Sequence, residues 1–128
     1  MDLFIYLQIG SIDHINFTHP IQEWVKKNYQ ETLVFDADNH SDGIVTSYGL
    51  EQIKQAQTIC VMIEAQPNKK LGGITSLIEK IIRVKDKSVM VFVSGENEML
   101  KKMLSFSKNQ VHCSLSNPEI QLFIRNDF

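Results

Sequence analysis

Five short apolar runs, each followed by a stretch with helical spacing, restrict this chain to few folds. The runs cover residues 2–9, 32–36, 58–64, 88–93 and 110–115. Between and after them, apolar side chains recur three and four residues apart. Ile21, Trp24, Val25 and Tyr29 form one such stripe, and Leu50, Ile53 and Ala56 a second. Ile74, Leu77, Ile78, Ile81 and Ile82 form the strongest; Met99, Leu100, Met103 and Leu104, then Ile120, Phe123 and Ile124, complete the set. Near-continuous apolar runs are the mark of strands covered on both faces, and the stripes between them mark helices with one buried side. Strands alternating with helices predict an α/β fold with a five-stranded, mostly parallel sheet and helices on both faces. Right-handed crossovers favour the flavodoxin-like strand order 2-1-3-4-5. No repeat, low-complexity tract or Pro/Gly/Ser linker interrupts the pattern, so residues 1–128 read as a single α/β domain.

Local signals sharpen the helix starts. Pro20, after Thr18-His19, suits a first helical turn, where its missing N–H would have no partner. Ser47 is a candidate cap for the second helix, and Asn117-Pro118 reads as cap plus first turn. Ser76-x-x-Glu79 has the spacing of a capping box.

Charge and cysteine usage exclude several classes. Thirteen Lys and Arg against fifteen Asp and Glu leave a formal net charge of -2, which gives no reason to expect nucleic acid or an acidic membrane surface as partner. No apolar run approaches the roughly 18 residues of a membrane helix. The N-terminus lacks the basic segment and small-residue cleavage site of a secretory signal. Cys60 and Cys113 lie in apolar runs without C-x-x-C spacing and read as core thiols of a cytoplasmic protein. His14, His19, His40 and His112 have no partner at metal-ligand spacing, so no metal site is expected.

In sheets of this order, ligands sit beyond the carboxyl ends of the strands, where the strand order reverses. That places the loops 10–17, 36–46 and 65–75 in the frame, with 94–96 at their border. Dinucleotide and Walker phosphate cradles are missing, as is a G-x-S-x-G elbow. A phosphate-accepting receiver would carry clustered acids after the first strand and an Asp after the third; here those strands end in Gln8-Ile9-Gly10 and Glu64.

Two constellations remain. The first is Asp36-Ala37-Asp38-Asn39-His40-Ser41-Asp42-Gly43. Its alternate oxygen ligands would suit a hard cation, but read from Asp38 the bidentate Glu of a calcium loop is replaced by Gly49. A turn whose acids and Asn cap backbone groups is the alternative, and Asp36 is also placed to bind a ribose hydroxyl. The second is Gly72-Gly73-Ile74-Thr75-Ser76-Leu77-Ile78-Glu79. Two glycines before a helix start allow close backbone approach to an anion. Glu79, one turn in, is either the closing half of the capping box or a carboxylate that acts on a sugar over the strand ends.

Together these pieces resemble a Toll and interleukin receptor (TIR) domain. Asp2-Leu3-Phe4-Ile5, Val34-Phe35-Asp36, Asp42-Gly43, Leu50-x-x-Ile53 and Ile59-Cys60-Val61-Met62-Ile63 resemble that family's motifs over about residues 2–93. Glu79 falls close to the catalytic Glu of members that cleave NAD, although Thr75-Ser76 stand where the family carries Trp-Cys. Tyr6 with Gly10-Ser11-Ile12 is similar to the first loop of nucleoside deoxyribosyltransferases and nucleotide N-glycosidases. The Gly72–Glu79 segment keeps the spacing of the lysine-decarboxylase-like phosphoribohydrolases. These families cleave a bond between a ribose-type sugar and a base.

The resemblances imply an N-glycosidase acting on NAD or a nucleotide, which would be substrate rather than cofactor. Glu79 would act on C1′, with Gly72, Gly73, Thr75 and Ser76 along the sugar-phosphate. Gly10 and Ser11 would add donors, Asp36 would hold a ribose hydroxyl, and Asp13 or His14 would protonate a neutral leaving base. The alternatives are a catalytically silent, TIR-like interaction module that self-associates, and a plain nucleotide binder.

Overall fold

The computed structural model describes residues 1–15 and 19–128, with Asp127 described by its backbone only. Strand β1 (Asp2–Ile9) leads to a 3-10 turn (Ile12–His14) and helix α1 (Pro20–Asn28). There follow β2 (Leu33–Asp38), α2 (Gly43–Gln55), β3 (Thr58–Ala65), a second 3-10 turn (Gly72–Ile74) and α3 (Thr75–Arg83). The chain continues through β4 (Ser88–Gly95), α4 (Glu98–Leu104), β5 (Gln110–Cys113) and α5 (Asn117–Asp127). All pairings are parallel and the order is β2-β1-β3-β4-β5. The α/β sheet with flavodoxin-like order is therefore as the sequence pattern predicts. Thr18 and residues 16–17 of the first loop lie outside the described residues. Among those described, no helix is long and apolar enough to cross a membrane.

Alternation along each strand sends side chains to two different cores. One face carries Leu3, Ile5, Leu7, Ile59, Val61, Ile63, Val89 and Val91 against Ile53 of α2, Leu77, Ile78 and Ile81 of α3, and Leu100 and Leu104 of α4. Each aliphatic side chain so enclosed stabilises the fold by about 1.5–3 kcal/mol. The other face is aromatic and sulfur-bearing: Phe4, Tyr6, Cys60, Met62, Met90 and Phe92 pack on Ile21 and Val25 of α1 and Ile120 and Ile124 of α5. Trp24, Tyr29 and Phe128 meet edge to face at 5.7 Å along this layer, and the Arg125 guanidinium lies 5.6 Å over the Trp24 ring, tying α1 to α5.

Helix starts follow cap chemistry more closely than apolar spacing. Pro20 opens α1 as predicted. Helix α2 begins earlier than Ser47: Asp42 is its cap, and Asp42 Oδ1 accepts from the Ile44 and Val45 N–H groups, both at 3.1 Å. Its buried stripe includes Thr46 and Gly49. A methyl group on Gly49 would stand 2.8 Å from Leu77 and Phe35, so the close approach of α2 to both excludes a larger side chain. The Ser76–Glu79 capping box does not form. The 3-10 turn runs directly into α3, which places Ile74 at the cap position, with no side-chain cap. The capping box in this chain is at α5, one residue before the predicted Asn117 cap. There Ser116 Oγ accepts from the Glu119 N–H, and the Ser116 N–H donates to Glu119 Oε1 at 3.1 Å. Cys60 is buried, as expected of a core thiol, whereas Cys113 on the edge strand β5 is exposed.

Hydrogen bonds from Ser116, the backbone N–H first, hold the Glu119 carboxyl below the usual carboxylate range. A depressed native pKa stabilises the fold above the unfolded-state value, and the contribution disappears as pH falls through the native one. The stability difference between wild type and Glu119→Gln in urea melts is therefore expected at neutral pH and should close as pH drops below about 4.

Candidate functional site

Register determines what stands at the carboxyl edge. Gln8 pairs with Asp38 on one side and Glu64 on the other, and Glu64 pairs with Ser94. Four strands thus end in one row of polar residues, on the same face as Tyr6, Met62 and Phe92. Helix α1 begins level with Tyr6, because His19, immediately before it, stacks on the Tyr6 ring with centroids 3.9 Å apart. Gln8 Nε2 donates to His19 Nε2 at 3.1 Å.

A cleft of about 240 Å³ opens over this row. Its floor is formed by the strand ends at Gln8–Gly10, Glu64–Gln66 and Ser94–Gly95, and its wall by His14 and Ile15. Ligand pockets for whole drug-sized molecules run from about 300 Å³ upward, so this one fits a sugar or a base rather than an entire dinucleotide. Among the described residues no Lys or Arg lines it, and Glu64 and His14 are its ionisable groups. The Tyr6 phenol is pushed well above its ordinary pKa, by burial first and then by its hydrogen bond to Glu64 and the carboxylate charge. It therefore stays protonated and donates to Glu64.

The loops around the cleft are tied to one another. The Gly10 N–H donates to Asn39 Oδ1 at 3.1 Å, and the His40 imidazole donates to the Gly10 carbonyl at 2.8 Å. The Ser11 N–H donates to Gln66 Oε1 at 3.3 Å, and Asn97 Nδ2 donates to the carbonyls of Gln66 and Lys69. Ser11 Oγ lies 2.7 Å from His14 Nδ1. At Gly95, φ is +84° and a methyl group would stand 2.0 Å from the Ala65 carbonyl oxygen, so β3 and β4 approach closely at the cleft floor only because the residue is glycine.

The structure gathers only part of the predicted set. Gly10 and His14 line the cleft and Ser11 contacts His14, but the Gly10 and Ser11 N–H groups already serve the loops. Asp13 is exposed and outside the lining. Asp36 takes a hydrogen bond from Gln22 Nε2 at 2.9 Å and does not line the cleft. The acidic loop works as backbone caps: Asp38 accepts from the His40 N–H, and among the described residues no cluster of three His, Cys, Asp or Glu could hold a metal ion.

Gly72 and Gly73 approach backbone of their own chain. A methyl group on Gly72 would lie 2.2 Å from the Asn39 carbonyl oxygen, and one on Gly73 would lie 2.0 Å from that of Ser41. The Gly73 N–H donates to the Asn39 carbonyl, and Thr46 Oγ1 donates to the Gly73 carbonyl. Thr75 Oγ1 donates to the Gly72 carbonyl. Ser76 is half-buried in the first turn of α3 and Glu79 is exposed on it; neither lines the cleft. Sequence reasoning passed over Glu64, Gln66 and Ser94 as site residues. The signal for them was available: polar residues at the ends of two otherwise apolar runs, β3 and β4.

A second concavity of about 400 Å³ lies between α4 and the ends of β4 and β5, over Val93, Leu100, Leu104 and Val111. It is the larger space; Glu96, Asn97, Glu98 and Lys101 also line it, and it lies at the β4–β5 edge, away from the point where strand order reverses. No family model, curated protein or solved structure matches the chain.

Two outcomes follow from this geometry. Gly73→Ala should destabilise the protein by about 1–3 kcal/mol, the usual cost of overpacking, read as a lower urea midpoint, while Gly43→Ala, with open space around it, should not. The raised Tyr6 phenol contributes stability in full below the unfolded tyrosine value and loses it as pH rises further. Wild type should accordingly lose stability above about pH 10 more steeply than Tyr6→Phe.

Proposed function

We propose that this chain binds a nucleoside or nucleotide over the ends of β1, β3 and β4 and cleaves its ribose–base bond, with Glu64 as the carboxylate beside C1′. The observation that carries this reading is the cleft itself: a polar pocket of sugar size at the point where strand order reverses, with a half-buried carboxylate held by the Tyr6 hydroxyl. Breaking a ribose–base bond builds positive charge on the sugar ring, and a fixed carboxylate stabilises that charge most when water is partly excluded. Ser94 and the Gln66 amide nitrogen, both on the lining, supply neutral groups of the kind that ribose hydroxyls match. The resemblance to sugar–base-cleaving families supports the same chemistry, with the acting carboxylate moved from Glu79 to Glu64. The reaction needs water and no metal.

Pure protein incubated with NAD and with a panel of nucleosides and nucleotides should release free base, read by chromatography. Glu64→Gln should reduce release on the order of 100-fold, as removal of a transition-state charge partner does, and Glu79→Gln should stay near wild type. The reverse pattern would return the chemistry to Glu79. No release with any substrate would leave a binding or interaction module.

A further inference from the structure

We infer that His14, oriented by Ser11, is the proton donor to the departing base, and that the substrates are therefore ribosides of neutral bases. The inference rests on the reading of the cleft as a ribose–base cleavage site and goes beyond it by naming the second catalytic group and the substrate class.

His14 lines the same cleft as Glu64. Its Nδ1 is 2.7 Å from Ser11 Oγ, which leaves Nε2 as the nitrogen available to a ligand. Ser11 is itself fixed. It caps the 3-10 turn, its carbonyl accepts from the His14 N–H at 2.9 Å, and its own N–H donates to Gln66 Oε1. Gln66 is anchored in turn, because its N–H donates to the Ile9 carbonyl at 2.8 Å and its carbonyl accepts from Asn97. The imidazole thus stands on a chain of contacts that runs back to the sheet. This is the arrangement expected of an acid whose second nitrogen is held by a third group. Asp13, the other candidate on this turn, is exposed like His14, but of the two only His14 lines the cleft.

In the imidazolium form, Nδ1–H donates to Ser11 Oγ and Nε2–H is the proton offered to the base. The C1′–N bond breaks with its electron pair leaving on the base, and the Nε2 proton passes to the base, which departs neutral. A water oxygen bonds to C1′ and its proton goes to Glu64. One proton is lost by His14 and one gained by Glu64, so the two groups are reset through solvent. A base that already carries a positive charge leaves neutral without any donor. A positioned acid at this place is useful only when the base is neutral.

The test compares inosine with 7-methylinosine, which differ in whether the base carries its own positive charge. Base release from both is measured for wild type, His14→Gln, Ser11→Ala and Glu64→Gln, with folding checked by circular dichroism. His14→Gln should lower the inosine-to-7-methylinosine rate ratio about 100-fold, the usual contribution of a positioned acid. Ser11→Ala should lower the same ratio by less, a leaving-group dependence that a merely structural role would not produce. Glu64→Gln should slow both substrates and leave the ratio in place. A ratio unchanged in His14→Gln, with Glu64→Gln still slow on both, would overturn the role of His14 while the glycosidase reading stands. No release from either substrate by wild type would overturn both.

Discussion

Strand β1 is hydrogen-bonded on both sides, to β2 and to β3, and everything at the carboxyl edge inherits its register. A slip of one residue would turn Gln8 toward the aliphatic core and Ile9 toward the face of Tyr6 and Met62. The register is secured by what lies below the edge. Leu3, Ile5 and Leu7 go to one core and Phe4 and Tyr6 to the other, so neither face tolerates the exchange. The polar row is thus a consequence of apolar packing several residues away.

On that edge the loops hold one another in place. Asn39 and His40 from the β2–α2 loop fix Gly10, while Gln66 from the β3–α3 loop fixes Ser11. The glycine pair at 72–73 lets the second and third loops meet backbone to backbone. The donors and acceptors of these loops are therefore spent on preorganisation. Fixed polar groups of this kind need little rearrangement when charge develops beside them.

The sheet and its order were legible because burial on both faces writes itself as apolar runs, and the helices as stripes. The start of α2 was not, because Thr46 and Gly49 occupy its buried stripe. Thr46 hides its hydroxyl in bonds to the Asp42 and Gly73 carbonyls, and Gly49 makes room for Phe35 and Leu77. Ser76 and Glu79 had the spacing of a cap without its backbone, since a 3-10 turn had already begun the helix. In the site, Gly10 and His14 were legible from the loop that follows the first strand. Gly72 and Gly73 signalled close approach correctly, but a sequence does not say whether the approaching atoms belong to a ligand or to the chain. Glu64 was read only as the polar end of the third strand, because a lone acid there gains meaning only from its neighbours Gln8, Ser94 and Tyr6 in three dimensions.

The contrast between the two cores has an optical consequence. The chain has a single tryptophan, Trp24, and it lies in the layer of α1 and α5 beside Tyr29 and Arg125. Its emission therefore watches one side of the sheet. Loosening of α2, α3 or α4 on the aliphatic side would leave the indole's surroundings intact and pass unseen in fluorescence, while far-ultraviolet dichroism would register it. A mismatch between those two signals would locate the first helix to detach, on the side of the sheet where the indole is absent.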